Sequence, residues 1–190
     1  AEAGILKRIY DKNGSYTSSF MASRLWVADY AAKNEIGKVL DFNELAESSG
    51  DKTGKGIKRL GVLRADVDGL GAAFIAGFIH KENKNPEAYA TLSRYAALSR
   101  SMALFFRKII KGICKKELPE GIKPFYLFED KDGEPRKIHV VYSGGDDLFL
   151  VGAWDDLMGF VADLKSALSV YTNGKLTFSA GRGLYSPTSP

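Results

Sequence analysis

Residues 141–149 read VYSGGDDLF and place two glycines and two aspartates between two short apolar runs. Apolar runs of this length are typical of buried strands, and glycine and aspartate between them are typical of a tight turn. The stretch therefore predicts a β-hairpin that carries Asp146 and Asp147 at its tip. An aspartate pair in a hairpin turn is also ordinary turn chemistry, so the pair alone does not indicate catalysis.

A second acidic pair follows another predicted strand. Residues 60–67 (LGVLRADV) form a short, mostly apolar run, and Asp66 and Asp68 stand at its carboxyl end. After this strand the pattern predicts a short helix over residues 69–79. A long helix is predicted over residues 91–116, because apolar side chains recur there at helical spacing.

The other predicted elements are strands over residues 124–128, 137–142 and 148–152, an amphipathic helix over residues 155–171 and a last strand over residues 175–184. The order strand, helices, hairpin, helix, strand is that of a split βαββαβ unit. We therefore predict an α+β fold, a ferredoxin-like palm of the kind found in nucleotidyl cyclases and polymerases. Its antiparallel sheet carries helices on one face, and its first strand lies beside the hairpin.

The first third of the chain is less periodic. Residues 24–28 fit a short strand. Residues 42–47 fit a short helix, with Asp41 as the N-cap and Glu44 as its capping-box partner.

A domain boundary is predicted next, because the run SSGDKTGKG at residues 48–56 has the composition of a flexible linker. We assign residues 1–59 to the end of a preceding small or linker region and residues 60–190 to the palm. The chain begins AEA without methionine and stops at SPTSP just after a strand. These ends favour a piece of a larger protein whose palm is truncated at its C-terminus.

Composition narrows the class of protein. A net charge of +4 and a pI near 9.0 suit a nucleotide or RNA as partner, although an ordinary lysine-rich surface explains them as well. Cys114 is the only cysteine, which excludes a disulfide framework and a four-ligand zinc site within the chain. His80 and His139 are dispersed and neither precedes an aspartate, which excludes a histidine-aspartate phosphohydrolase centre. No signal peptide or membrane-length apolar run is present, so we expect a cytoplasmic protein without membrane contact.

The predicted topology places the acidic residues of the two pairs near one another. Because the first strand lies beside the hairpin, Asp66, Asp68, Asp146 and Asp147 are expected within metal-ligand reach of one another. Carboxylates held together repel unless a divalent cation neutralises them, and Mg²⁺ (or Mn²⁺) suits oxygen ligands and phosphates. The chemistry implied is two-metal nucleotidyl transfer, with Asp146 and Asp147 as catalytic residues and a nucleoside triphosphate as substrate.

Glycines flank both acidic pairs. Gly144 and Gly145 are expected to permit positive φ at the hairpin tip and to let a triphosphate approach the backbone. Gly69 and Gly71 are expected to open a helix whose amides receive phosphate oxygens.

Four cationic residues are weaker candidates. Lys165 is a candidate to bind the γ-phosphate of the nucleotide from the last helix. Arg182, on the last strand, is a candidate to bind the nucleotide as well, but the sequence does not show on which face of the sheet its side chain lies. Arg100 and Arg107 are candidates for binding phosphate or RNA, although a solvated helix face is the better explanation of both.

Residues 60–71 (LGVLRADVDGLG), 98–106 (LSRSMALFF) and 141–149 together resemble the large subunit of type III CRISPR effector complexes, of the Csm type (subtype III-A), in its second palm domain. The resemblance covers residues 60–190 and extends more loosely through DFNELA at residues 41–46.

The resemblance implies that the palm converts ATP to cyclic oligoadenylates when the complex binds target RNA. Asp146 and Asp147 match the family's metal-binding pair, Asp66 matches its first-strand acid, and Ser143 falls where the family places a residue near the adenine. Implied partners are crRNA, target RNA, other subunits of the complex and the remaining domains of the large subunit. Because the family builds its synthase site from two palms, this chain alone is expected to bind ATP but to turn it over poorly.

Two other functions remain open from the residues. A diguanylate cyclase shares this palm and uses GTP, but Leu148 follows the acids here and Arg136 lacks the downstream aspartate of that family's inhibitory site. A palm without catalysis, acting as an RNA-binding or assembly scaffold, is the alternative of a different class.

Overall fold

The structure is a computed structural model that describes the backbone of residues 9–12, 22–25 and 28–186, and side chains from residue 28 onward. Strands β1 (Ile9–Lys12) and β2 (Ala22–Leu25) pair in parallel. Of the strand expected over residues 24–28, residues 24 and 25 belong to β2 and Ala28 lies in no strand. Residues 26 and 27 lie outside the described residues.

A four-stranded antiparallel sheet organises the palm. Its strands are β3 (Leu60–Asp68), β4 (Ile138–Gly144), β5 (Asp147–Ala153) and β6 (Thr177–Tyr185), in the spatial order β4-β5-β3-β6. This order puts β3 between β5 and β6 and confirms the predicted split βαββαβ arrangement.

The helices between the strands are α2 (Leu70–Ala76), α3 (Leu92–Leu104), α4 (Ile110–Lys115) and α5 (Trp154–Tyr171). A π-helical segment (Phe105–Ile109), called the π segment below, joins α3 directly to α4. The long helix expected over residues 91–116 therefore exists but is not α-helical throughout.

The strand expected over residues 124–128 is absent. The Phe125 N–H donates to the Asp163 carboxylate (2.8 Å), and the Phe125 carbonyl accepts from the Arg136 guanidinium (3.0 Å). Because side chains satisfy this backbone, the segment needs no partner strand.

Strand β3 separates the two faces of the sheet. Leu63, Ala65 and Val67 are buried in the main core with α3, the π segment, α4 and α5, whereas the alternating residues Arg64, Asp66 and Asp68 are exposed. Alternation of this kind is expected of a strand with one packed face. The acids of β3 thus lie on the face opposite the main core.

A helix that precedes the palm covers part of the second face of the sheet. Helix α1 (Phe42–Glu47) contacts β3 and β5, and its Leu45 and Ala46 are fully buried outside the main core. Val151 and Ala153 of β5 are also buried outside that core and alternate with its members, so α1 covers the far end of the second face. The predicted capping box is present: the Glu44 N–H donates to the Asp41 carboxylate (2.9 Å), and the Asp41 N–H donates to the Glu44 carboxylate (2.7 Å).

Residues 48–56 are an ordered turn, so the prediction of a flexible linker is wrong. Ser49 is fully buried, and its Oγ lies 2.7 Å from the Ala46 carbonyl and 2.8 Å from the Arg59 carbonyl. The Asp51 carboxylate accepts hydrogen bonds from Thr53 Oγ1 (2.8 Å) and the Lys55 N–H (2.7 Å). Short local hydrogen bonds of this kind order a segment in spite of its polar composition.

Residues 30–40 also lie against the palm. The Ala32 N–H donates to the Ile138 carbonyl (3.0 Å), and the Val140 N–H donates to the Tyr30 carbonyl (2.9 Å), which covers the edge of β4. His139 Nδ1 accepts a further bond from the Ala32 N–H (3.1 Å), and Nε2 lies 2.8 Å from the Leu40 carbonyl. Residues 28–59 therefore pack on the same sheet as the palm.

Candidate active site

The hairpin between β4 and β5 has a two-residue turn, Gly145-Asp146, because Gly144 pairs with Asp147. Gly145 has φ +67°, whereas Asp146 is not among the residues with positive φ. This φ pattern is that of a type II′ turn, which favours glycine at its first central position. Gly144 is the last residue of β4 and does not have positive φ, so the expectation of two left-handed glycines is correct only for Gly145.

Two acids face one another across adjacent strands. Asp66 of β3 is directly opposite Asp147 of β5 in the register of the sheet. Side chains at such positions lie on one face with Cβ atoms about 5 Å apart, and like charges there are destabilising. Arg64 offsets part of this repulsion, since its Nη2 lies 3.6 Å from Asp147 Oδ1, but both side chains are largely exposed to solvent.

Asp146 joins this pair from the turn. Its carbonyl accepts a hydrogen bond from the Val67 N–H (3.3 Å), which ties the turn to the end of β3. Within residues 28–186, the carboxylates of Asp66 and Asp146 have no hydrogen-bond or ion-pair partner.

Asp68 is held elsewhere. Its carboxylate accepts hydrogen bonds from Thr177 Oγ1 (2.9 Å) and Ser179 Oγ (2.6 Å), both on β6. In the described part of the chain, no three His, Cys, Asp or Glu side chains are close enough together to hold a metal ion. The structure thus brings Asp66, Asp146 and Asp147 to one end of the sheet, and it engages Asp68 with β6.

Although no three acids of the described residues lie close enough together to enclose a metal ion, two of the acids at this end suffice for a magnesium site of one type. Mg²⁺ binds through one or two carboxylates and completes its coordination with water and substrate phosphates, so it does not require a closed protein cage. Among residues 28–186, two of these carboxylates have no protein partner and the third pairs with the exposed Arg64, which is a donor set of this type.

Open backbone lies beside these acids. Gly69 has φ +68° and is the N-cap of α2, with no side chain capping that helix. A Cβ atom added at Gly69, Gly71 or Gly145 would meet no atom within 4 Å. The space that a phosphate would need is therefore free at these three glycines.

Ser143 has a partner that sequence reasoning missed. Its hydroxyl donates to the carbonyl of Phe106, in the π segment, at 2.5 Å. The sequence carries no distinct signal for the π segment, because adjacent apolar residues such as Phe105 and Phe106 also occur on the buried face of an ordinary amphipathic α-helix.

The four cationic candidates have different surroundings. Arg182 pairs in register with Leu63, and its guanidinium contacts Met158 of α5, so it lies on the helix-packed face and away from Asp66. Lys165 is exposed on α5. Arg100 is exposed on α3 and Arg107 on the π segment.

A cleft of about 620 Å³ lies between α2, α3 and the end of α5, and sequence reasoning did not identify it. Its lining combines apolar and aromatic side chains with polar groups, including Phe78, Leu98, Met102, Tyr171, His80 and Lys175. One of its lining residues, Ala73, belongs to α2, the helix that follows the acidic end of β3. Such a mixed lining is typical of small-molecule sites.

The family model described as Cas10/Cmr2, second palm domain, matches residues 59–190. The chain belongs to the Cas10/Cmr2 second palm family. The match to the family begins one residue before β3 and includes every strand of the palm sheet.

Individual proteins similar to this chain belong to the same family. The single-strand-specific deoxyribonuclease Cas10/Csm1 (subtype III-A) of Mycobacterium tuberculosis H37Rv is 40% identical over 179 residues, which are 94% of this chain. Its counterpart in Streptococcus thermophilus is 37% identical over 183 residues, 96% of this chain. The chain spans 20% of the length of each of these relatives. The resemblance to the large subunit of type III-A complexes is confirmed.

Solved structures of Csm1–Csm4 cassettes share the fold. One, in complex with one ATP, is 35% identical with a TM-score of 0.72. Two others, in complex with cA3 and with cA4, are each 34% identical with a TM-score of 0.73. Each comparison covers 96% of this chain and 24% of the other. In the part of this chain that the structure describes, no helix has both the length and the apolar character of a membrane span.

Proposed function

We propose that this Cas10 palm is a metal-dependent nucleotidyltransferase that converts ATP to cyclic oligoadenylates within an RNA-guided type III-A complex. The observation that carries the proposal is the arrangement of Asp66 opposite Asp147, with Asp146 in the adjoining turn. Family members with ATP, cA3 and cA4 bound support the choice of adenine nucleotides as substrate and product.

Asp66, Asp146 and Asp147 would hold Mg²⁺ or Mn²⁺. Bound there, the ions would lower the pKa of a ribose 3′-hydroxyl and neutralise charge at the α-phosphate as pyrophosphate leaves. The protein's part is to hold its carboxylates at fixed positions on a rigid sheet, so that no reorganisation is needed during the reaction. Arg64 is placed to hold Asp147 in orientation until substrate arrives.

The open backbone at Gly69, Gly71 and Gly145 would receive the triphosphate, because no side chain there obstructs it. The cleft between α2, α3 and α5 has the size and mixed lining for a nucleobase, which we place there. Lys165 remains a candidate for the γ-phosphate and Arg100 and Arg107 for RNA. The position of Arg182 beside Met158 gives it no role in this proposal.

Partners follow from the same comparison. Csm4 accompanies Csm1 in the solved cassettes, and we propose an equivalent subunit, crRNA and target RNA as partners here. Other domains of the same large subunit would complete the synthase. An RNA-guided, ATP-consuming complex is expected in the cytoplasm.

The two alternative functions, a diguanylate cyclase and a palm without catalysis, are less well supported. Arg136 is fully buried and paired with Asp163 and Asp156, so it is not available to bind a cyclic dinucleotide at an inhibitory site. A scaffold without catalysis gains nothing from placing like charges opposite one another on an exposed face.

Mass spectrometry of products from the intact complex, given ATP, Mg²⁺ and target RNA, tests the proposal. We expect oligoadenylates from the wild type and none from the Asp146→Ala/Asp147→Ala variant, which should fold normally because Asp146 lies in the turn, Asp147 is the first residue of β5, and both are partly exposed. The matched control is Glu120→Ala/Glu129→Ala, which removes two exposed acids elsewhere and should not reduce synthesis. Absence of product from a wild-type complex that still binds crRNA and target would favour the scaffold.

A further inference from the structure

The continuous helix formed by α3, the π segment and α4 changes its hydrogen-bond pattern where it contacts β4 of the hairpin. The Ile110 N–H donates to the carbonyl of Phe105, five residues earlier. In an α-helix this N–H would bind the carbonyl of Phe106, four residues earlier. The π segment therefore releases the Phe106 carbonyl from the α-helical ladder. Single π turns of this kind are rare and occur mostly at functional sites.

The released carbonyl is the one that Ser143 binds. The Ser143 hydroxyl donates to the Phe106 carbonyl at 2.5 Å, at the short end of the range for such bonds. Ser143 immediately precedes the Gly144-Gly145-Asp146-Asp147 stretch, so the bond connects the base of the hairpin turn to the helix. Phe105 and Phe106 are both buried in the main core, so the helix side of this connection is rigid.

The sheet alone holds the hairpin less firmly. The register of β4 against β5 shifts between Val140 and Tyr142, just before the turn. A bulge of this kind interrupts the ladder and redirects the residues that follow it. Val141 and Tyr142 are also more than half exposed, so little side-chain packing fixes this part of β4. The turn therefore benefits from an anchor outside the sheet.

We propose that Ser143 is a positioning residue, whose hydroxyl anchors the hairpin to the π segment and thereby sets Asp146 and Asp147 relative to Asp66. A serine hydroxyl has one proton, so while it donates to Phe106 it cannot donate to a nucleotide. The inference rests on the proposed function of the acids as metal ligands. In this arrangement the π segment presents the Phe106 carbonyl to the hairpin as a hydrogen-bond acceptor.

The test compares Ser143→Ala and Ser143→Thr in the intact protein within its complex. The matched control is Ser166→Ala, because Ser166 also donates to a helix carbonyl (that of Ala162, 3.2 Å) but within one α-helical turn of α5. Three quantities are measured: hydrogen exchange of the hairpin amides without nucleotide, Mn²⁺ affinity by electron paramagnetic resonance, and ATP affinity in the presence of a chelator. The rate of oligoadenylate synthesis is measured in parallel.

We expect Ser143→Ala to speed exchange at residues 143–147 and to weaken Mn²⁺ binding and synthesis by about tenfold, the size expected of one lost hydrogen bond. ATP affinity in chelator should stay within about twofold of wild type, because the hydroxyl is not a nucleotide ligand here. Ser143→Thr keeps the hydroxyl and should restore hairpin exchange, Mn²⁺ affinity and the rate of synthesis. Ser166→Ala should match the wild type.

Weakened ATP binding with unchanged Mn²⁺ affinity and unchanged hairpin exchange would overturn the inference, because the hydroxyl would then be a nucleotide ligand. A Ser143→Ala protein equal to wild type in every quantity would also overturn it. If the wild type makes no oligoadenylate, yet Ser143→Ala still alters hairpin exchange and Mn²⁺ affinity, the proposed function fails while the anchoring role stands.

Discussion

Gly144 and Gly145 are adjacent in the chain, but they differ in backbone conformation. Gly145 adopts φ +67° in the turn, and Gly144 is extended in β4. Neither has a neighbour that would exclude a methyl group, since the nearest atom to an added Cβ is Tyr142 OH, 3.6 Å from Gly144. Any difference between substitutions at the two positions must therefore come from backbone conformation.

Gly145→Ala is expected to lower the free energy of unfolding by about 1 kcal/mol, because alanine is strained at positive φ. Gly144→Ala adds the same methyl group without that strain and serves as the control, with a smaller effect. Urea denaturation of both variants measures the difference. Equal losses at the two positions would show that the turn does not have the φ pattern described.

At the scale of elements, a buried ionic network attaches α5 to the rest of the palm. Arg136 is 1% exposed and pairs with the Asp163 carboxylate, while its Nη1 lies 3.7 Å from Asp156 Oδ1. The same guanidinium donates to the Phe125 carbonyl and so fixes the segment that was expected to be a strand. From the sequence, Arg136 is notable only because it lacks the downstream aspartate of a diguanylate cyclase inhibitory site, since burial of a charged residue is not visible in a sequence.

Asp163→Ala is expected to destabilise the chain by about 3–5 kcal/mol, because it leaves a buried guanidinium without its partner. Ser169→Ala, an exposed change on the same helix, is the control and should have an effect within about 0.5 kcal/mol. Thermal or urea denaturation monitored by circular dichroism distinguishes the two. A loss below about 1 kcal/mol for Asp163→Ala would show that water or another group reaches Arg136.

At the scale of the whole molecule, residues 28–59 and the palm share a cleft. It has a volume of about 290 Å³ and is lined by five lysines, Lys52, Lys58, Lys116, Lys131 and Lys137, together with acids from both parts. Lys116 Nζ donates to the Lys131 carbonyl (2.9 Å) and lies 4.1 Å from the centre of the Tyr126 ring. Burial lowers the pKa of Lys116 to about 8, with Asp156 opposing this effect and Arg136 adding to it.

This lowered pKa predicts a pH dependence of stability. The unfolded chain binds the Lys116 proton up to a pKa near 10.4, whereas the folded chain loses it near 8, so the unfolded state holds more protons between these values. Protonated Lys116 therefore weakens the fold below pH 8, and this penalty disappears as pH rises to about 10.5. Relative to Lys116→Gln, the wild type should gain melting temperature across this range.

Melting temperatures at pH 7, 8, 9 and 10 measure the effect, with Lys115→Gln at the exposed neighbouring position as the control. Subtracting the variant from the wild type cancels other groups that titrate in this range. A constant difference between wild type and Lys116→Gln would mean that Lys116 is solvated.

The sequence is sufficient to predict the order of the strands, the hairpin that bears Asp146 and Asp147, the capping box at Asp41 and membership of the family. These features depend on local patterns: apolar runs of strand length, turn residues between them, and a cap and its partner three residues apart. The pairing of β3 with β5 followed as well, since a split βαββαβ order allows few arrangements.

The structure was needed to establish which of the candidate residues come together. Asp68 binds β6, Arg182 faces α5, Ser143 binds the π segment, and Arg136 is buried against Asp163. Each of these contacts joins residues at least 24 positions apart, and the hydrogen-bonding capacity of a polar side chain does not specify its partner. Which donor meets which acceptor is set by packing across the whole sheet, and a local pattern carries no record of it.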